Sequence, residues 1–195
     1  MNIQFIFTIA ASVTFIIGIV PYINDIHHKR VQPHILSWIG WTFVTTLGFF
    51  AMLSDVFNWG AFVVLANAIS CVIVVIYSLL KKTAVFKTSH YDIIFFLLGI
   101  TGLILWQIFD NPDLAIIFAI FADMTFGIPT IIKTYKKPDS ETIFPWSMAT
   151  LSGLFALLAI SYISFTEVAY PIYLLVFDSV LLIVIINGLQ KKKTL

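Results

Sequence analysis

Residues 127–146 read GIPTIIKTYKKPDSETIFPW, an apolar segment that passes through a lysine-rich turn into a second apolar segment. Residues 18–38, GIVPYINDIHHKRVQPHILSW, show a looser version of the same pattern. The proline and the closing tryptophan keep one spacing in both stretches, Pro21 to Trp38 and Pro129 to Trp146. This agreement predicts two related structural units in one chain.

The composition around these stretches indicates the class of protein. Hydrophobic residues make up 60% of the chain and charged residues 11%, with a mean hydropathy of +1.01. This composition is typical of an integral membrane protein. Seven apolar stretches are long enough, at ~1.5 Å per helical residue, to cross a hydrocarbon core of ~30 Å. They are residues 3–20, 35–53, 60–80, 93–109, 114–132, 144–163 and 170–188. We therefore expect an all-α membrane protein with seven transmembrane helices.

The distribution of charge predicts an orientation. Every lysine and arginine follows an odd-numbered stretch: Lys29 and Arg30, then Lys81, Lys82 and Lys87, then Lys133, Lys136 and Lys137, then Lys191, Lys192 and Lys193. The other junctions carry acids instead. Because cations accumulate on the cytoplasmic side, the N-terminus should lie outside and the C-terminus in the cytoplasm. The net charge of +1 gives no indication of nucleic-acid binding.

An internal repeat explains the opening pair of stretches. A shift of 108 residues superimposes Pro21 on Pro129, Lys29 on Lys137 and Trp38 on Trp146. We predict a three-helix repeat at 1–88, a linker helix at 89–111 and a second repeat at 112–195, both in the same direction. Parallel repeats of this kind occur in transporters, with the substrate site near the midplane. An old duplication retained only as architecture is the alternative.

The two prolines are candidate hinges. Proline removes a backbone donor and weakens a helix at that point. Pro21 and Pro129 lie at matched depth near the inner ends of their helices, as an inner gate would need, although prolines are also common in membrane helices.

The segment PTIIKTYKKPDSETIFPWS resembles the PQ-loop repeat, in which a Pro-Gln pair ends one helix and a short basic loop leads to the next. PQ-loop proteins and the related SWEET sugar transporters have seven helices in a three-one-three layout with the N-terminus outside. The resemblance covers nearly the whole chain. Neither copy keeps the glutamine, since Tyr22 follows Pro21 and Thr130 follows Pro129.

Two acids, Asp123 and Asp178, fall near the middle of predicted spans, and no cation lies at a matching depth. A charged side chain there costs about 2.5–3.5 kcal/mol on insertion scales, so it is rare without a function. Both are candidates for proton coupling, and Asp178 also for substrate binding. A protonated aspartate hydrogen-bonded to a neighbouring helix is the alternative for each.

Other polar and aromatic side chains lie at a similar depth. The helix containing Asn67 looks like the third helix of SWEET transporters, which implies contact with substrate. The helix containing Asp178 is similar to the last helix of cystinosin, which implies proton coupling. Phe50 and Tyr162 are candidates for stacking on the solute. His27, His28, His34 and His90 fall in inner loops, where we expect solvated rings.

These features lead us to expect a proton-coupled, alternating-access transporter of a small polar solute in a prokaryotic plasma membrane. An uncoupled SWEET-like facilitator and a non-transporting receptor of the same fold are the alternatives. We expect no enzymatic activity, metal or cofactor, because no lysine lies inside the last span for a retinal Schiff base and no ligands cluster for zinc. A monomer is possible, and a homo-oligomer is not excluded.

Overall fold

The computed structural model describes residues 3–53, 60–84, 89–109, 111–161 and 163–194, without the side chains of 51–53 and 60–63. These residues form seven α-helices and a short 3-10 helix, which confirms the all-helical fold class. The α-helices are α1 (Ile3–His27), α2 (Ile35–Leu53), α3 (Gly60–Leu80), α4 (His90–Ile108), α5 (Pro112–Lys136), α6 (Ile143–Leu158) and α7 (Phe165–Lys193), with the 3-10 helix at Pro138–Ser140. Four of them, α1, α4, α5 and α7, have the length and composition of membrane spans.

Several helices begin earlier than the apolar pattern predicts, because polar caps lie outside it. Ser89 and Asp92 form a reciprocal capping box at the start of α4. Asn111 accepts from the amides of Asp113 and Leu114 before α5. Ser164 accepts from the amide of Glu167 at the start of α7, five residues before the predicted span. Such caps satisfy amides that have no partner within the helix.

The helices pack in two matching sets. In the first, α3 contacts both α1 and α2; in the second, α7 contacts both α5 and α6. The sets meet where α1 packs on α6 and where α2 packs on α5. Helix α4 packs mainly on α5.

Small residues allow close approach at these contacts. A Cβ added to Gly18 would lie 2.8 Å from Met148 Cβ, so α1 and α6 touch closely there. A Cβ at Gly127 would lie 2.3 Å from Phe177 Cζ, which joins α5 to α7. Helices α1 and α5 continue without a break through Pro21 and Pro129, so the hinge role of these prolines stays a prediction.

The deepest packing lies toward one end of the bundle, which we call the lysine-rich end: the end at which α1, α3, α5 and α7 finish. The most buried large side chains, Tyr22, Ile26, Phe126, Leu181 and Ile185, are each 1% exposed or less and belong to this half. At the start of α1, in contrast, Ile3 is 60% exposed. The lysine-rich half is thus the more tightly closed part of the described chain.

Candidate functional site around Asp123

Asp123 lies in the middle of α5 and is 4% exposed. Two tyrosines of α7 donate hydrogen bonds to it, Tyr170 to Oδ2 at 2.5 Å and Tyr173 to Oδ1 at 2.9 Å. Both tyrosines lie on one face of α7, because residues three apart are neighbours on a helix. Each carboxylate oxygen therefore has a donor, in the geometry expected of an aspartate held by a neighbouring helix.

Asp178 occupies the same helix as the two tyrosines. It is partly buried and lies within electrostatic range of Asp123. Among the described residues, none makes a hydrogen bond to the side chain of Asp178. The two predicted acids therefore lie within electrostatic range of each other in different surroundings. Two tyrosine hydroxyl groups hold Asp123, and no described residue holds Asp178.

An aromatic column leads from Asp123 toward the lysine-rich end. Ring centroids follow one another at 5.8 Å for Tyr170 and Tyr173, 5.8 Å for Tyr173 and Phe177, 6.1 Å for Phe177 and Trp41, 5.3 Å for Trp41 and Trp38, and 5.3 Å for Trp38 and Tyr22. We call these six residues the aromatic column. They fill the space between Asp123 and the lysine-rich end.

The other predicted site residues have different positions. Asn67 accepts a hydrogen bond from Cys71 Sγ at 3.4 Å, and Cys71 lies within electrostatic range of Asp123. Asn67 therefore belongs to the neighbourhood of the acids. Phe50 is 60% exposed and stands beside Phe49 at 5.5 Å. Tyr162 lies outside the described residues.

A second buried acid, which sequence reasoning missed, lies at the lysine-rich end. Glu141 has a side-chain exposure of 0%, and Lys133 Nζ lies 2.5 Å from its Oε1. Trp146 Nε1 donates to the other oxygen at 3.1 Å. The acid follows a run of lysines, a context typical of a solvated loop. Its burial depends on the meeting of two distant loops, and no local pattern in the sequence marks it.

Lys133 also joins the two three-helix sets. It donates to the carbonyl oxygen of Gln32 at 2.6 Å, and the amide of Gln32 donates to Ser140 O at 2.9 Å. Thr142 Oγ1 donates to Asp25 Oδ2 at 3.0 Å. We call residues 28–34 and 137–142 the loop pair. Its bonds hold the lysine-rich ends of both three-helix sets together.

His34, expected to be solvated, is instead 2% exposed. Its Nε2 lies 3.7 Å from Asp92 Oδ2, and its Nδ1 lies 3.2 Å from Ser37 Oγ. Burial lowers the pKa of His34, with nearby Lys133 adding to this effect and Asp92 opposing it. The expectation was wrong for this residue because the loop pair and the start of α4 cover the ring.

A cavity of about 40 Å³ lies beside the aromatic column and is lined by Gly18, Tyr22, Trp38, Trp146 and neighbouring apolar side chains. Neither Asp123 nor Asp178 lines it. A volume of this size exceeds the ~10–15 Å³ needed for one water molecule. In the described chain no three His, Cys, Asp or Glu side chains come together as a metal site would require.

Comparison of the chain with protein-family models, with curated proteins and with solved structures found no match.

Proposed function

We propose that this protein is a proton-coupled, alternating-access transporter of a small polar solute and not an enzyme. The observation that carries the proposal is the pair of aspartates at mid-span. Asp123 is held by two tyrosines of α7, and Asp178 lies on that same helix. Acidic groups within membrane spans mark ion and proton pathways in transporters.

The architecture that we propose has seven spans in a three-one-three parallel repeat of the PQ-loop and SWEET type. The contacts between the two sets support this architecture. If α1 corresponds to α5 and α2 to α6, the contact of α1 with α6 corresponds to the contact of α5 with α2, and both contacts are present. The lysine clusters favour a cytoplasmic C-terminus and an external N-terminus. We propose the plasma membrane of a prokaryote as its location.

The mechanism follows from the asymmetry between the two ends. In the described conformation the aromatic column and the loop pair close the lysine-rich end, so solute and proton would reach Asp123 and Asp178 from the opposite end. Opening inward would require the loop pair to separate and the contact between α2 and α5 to loosen. Pro21 and Pro129 would permit α1 and α5 to bend during that movement.

In this mechanism Asp178 carries the coupling proton. Because Asp123 and Asp178 lie within electrostatic range, protonation of one changes the cost of charging the other. Tyr170 and Tyr173 transmit that change as motion, since both donate to Asp123 and both belong to the helix of Asp178. Asn67, Tyr162 and Phe50 are proposed to hold the solute, and Asp178 would contact it.

The test uses purified protein in liposomes loaded with a pH-sensitive dye and exposed to radiolabelled glucose, sucrose, alanine or lysine. Wild type should accumulate one of these when a pH gradient is imposed, and Asp178→Asn should only equilibrate it. Asp113→Asn changes an exposed acid on the helix of Asp123 and should behave as wild type. If Asp178→Asn still accumulates solute, the coupling role is wrong. If wild type equilibrates a solute equally with and without the gradient, the protein is an uncoupled facilitator.

A further inference from the structure

A groove runs between α1 and α3 at the lysine-rich end, on the outer surface of the bundle. Its volume is about 340 Å³, and its lining consists of Val20, Ile23, Asn24, His27, His28 and Tyr77. The apolar members lie on the side toward the middle of the span, and the histidines lie at the end of α1. The groove therefore changes from apolar to polar along its length, as a phospholipid changes from acyl chain to headgroup.

Polar groups of the groove form a small network. Tyr77 OH and His27 Nδ1 are 2.7 Å apart, and their rings stack at 6.1 Å. When the hydroxyl donates, Nε2 of His27 carries the ring proton and remains as a donor. Lys81 Nζ lies 5.5 Å from the centre of the Tyr77 ring. One imidazole donor and one ammonium thus flank the same tyrosine.

The corresponding seam of the second three-helix set, between α5 and α7, is covered among the described residues. The 3-10 helix covers the seam between α5 and α7, where Pro138 Cγ would be 2.3 Å from a Cβ at Gly188. Ile185 is 0% exposed there, and Lys192 pairs with Asp139 at 2.9 Å. The residues 108 positions earlier are Tyr77, which lines the groove, and Leu80, which is 71% exposed. The seam between α1 and α3 is therefore open and carries polar side chains, whereas the matching seam between α5 and α7 is covered.

Cations follow the ends of both helices that form the groove. Lys29 and Lys82 follow the ends of α1 and α3 with φ angles of 58° and 56°. Glycine is the usual residue in this left-handed conformation, which costs energy for residues with a Cβ. Arg30 lies 3.6 Å from Asp25, so part of its charge is compensated nearby. Lysine at both of these positions adds positive charge at the ends of the two helices that form the groove.

We propose that this groove binds one anionic phospholipid molecule. Its phosphate would accept from His27 and from Lys81, and its glycerol and upper acyl carbons would lie along Val20 and Ile23. Val20 is 60% exposed, and Ile76 and Leu80 of α3 are 52% and 71% exposed, so apolar surface continues from the groove. Juxtamembrane cations attract anionic headgroups, and the His27–Tyr77 pair gives that attraction a fixed position.

The test measures the melting temperature of the full chain in neutral detergent as dioleoyl phosphatidylglycerol is added. Dioleoyl phosphatidylcholine and inorganic phosphate are added in parallel. We expect phosphatidylglycerol alone to raise the melting temperature. His27→Gln/Lys81→Gln removes one formal charge and should need about fivefold more phosphatidylglycerol for the same shift. Lys136→Gln removes one charge from the same end in the second repeat and should match wild type.

Three outcomes would overturn the proposal. Equal weakening in Lys136→Gln would mean diffuse attraction to the lysine-rich end, and an equal shift with phosphatidylcholine would mean a general effect of lipid. A shift with inorganic phosphate at the same concentration would mean a site for free anions. If the double variant fails to fold, Tyr77→Phe removes only the hydroxyl that orients His27. It should still weaken the response to phosphatidylglycerol, and an unchanged response would count against the site.

Discussion

Lys133 Nζ lies 2.5 Å from Glu141 Oε1, with side-chain exposures of 11% and 0%. Removing one partner of a buried pair leaves an uncompensated charge, whereas replacing both partners with apolar residues is often tolerated. The same lysine also donates to the carbonyl oxygen of Gln32 in the other three-helix set. The ion pair thus also ties α5 to both segments of the loop pair, through Gln32 and Glu141.

We expect Glu141→Gln to lower the free energy of unfolding by about 3–5 kcal/mol, because Lys133 then stays buried without a counter-charge. Thermal unfolding in detergent measures the change. The matched control is Asp139→Asn, which breaks the exposed pair with Lys192 and should cost about 0.2–1 kcal/mol. The double variant Lys133→Met/Glu141→Leu should be more stable than Glu141→Gln, and a lower stability for the double variant would contradict this account.

Gly127→Ala should strain the contact between α5 and α7. The new Cβ would meet Phe177 Cζ at 2.3 Å and Trp41 Cζ2 at 3.2 Å, and overpacking of this kind costs about 1–3 kcal/mol. Gly48→Ala is the control, since its Cβ would find Val64 Cγ1 at 3.7 Å. That variant should be neutral or more stable by up to ~1 kcal/mol. Adding Phe177→Leu should recover part of the loss at Gly127, as measured by thermal unfolding.

The hydrogen bonds to Asp123 can report its charge. A bond to a charged group contributes about 1.5–3 kcal/mol and a neutral one about 0.5–1.5 kcal/mol. If Asp123 is ionised, Tyr173→Phe should lower the free energy of unfolding by about 1.5–3 kcal/mol in wild type. The same substitution in the Asp123→Asn background should lower it by only about 0.5–1.5 kcal/mol. Tyr135→Phe, at a ring position 74% exposed, should cost close to nothing. Equal costs in both backgrounds would show that Asp123 is neutral.

The stability of the lysine-rich end should depend on pH through His34. Burial lowers the pKa of this imidazole, whereas the unfolded chain binds the proton near pH 6.5. Between these two pKa values the unfolded state holds more protons, so the free energy of unfolding rises with pH. The contribution is complete above about pH 6.5 and is lost as the pH falls through the folded-state value. His34→Gln should flatten this part of the profile, while His28→Gln, at an exposed ring, should leave it unchanged.

Cys71 is the single cysteine of the chain and is 3% exposed beside the site. Its alkylation by N-ethylmaleimide in membranes therefore reports exposure of the buried interior beside Asp123. We expect slow labelling in wild type and severalfold faster labelling in Lys137→Ala, which loses the bond to Gln32 Oε1 in the loop pair. Lys136→Ala is the control at an adjacent exposed position. Labelling that is fast in wild type would contradict the closed conformation.

The sequence predicted the parts of this molecule that depend on local pattern. The seven apolar stretches became seven helices, because apolar residues in long runs must satisfy their backbone groups internally. Of the last predicted residues of the sixth stretch, 159–161 and 163 lie beyond the end of α6 at Leu158, and α7 begins only at Phe165. The apolar pattern of the sequence did not show where α6 ends and the turn before α7 begins.

The acids of the candidate site could be predicted because each charge stood alone in an apolar segment. Asp123 and Asp178 met that condition. The tyrosines that hold Asp123 lie 47 and 50 residues away, and Tyr170 stood at the edge of its predicted span. Glu141 and His34 are polar residues in polar loops, so their burial depends on how two distant loops meet. Such contacts follow from tertiary packing and leave no local signature.

The packing of α1 on α6 and of α2 on α5 has a consequence for biosynthesis. The faces of α1 and α2 that pack on α6 and α5 leave the ribosome uncovered, because those partner helices are translated later. At ~5–20 residues per second the interval is on the order of ten seconds. During that time Trp38 and Trp41 must be shielded by lipid, by the insertion machinery or by a second nascent copy.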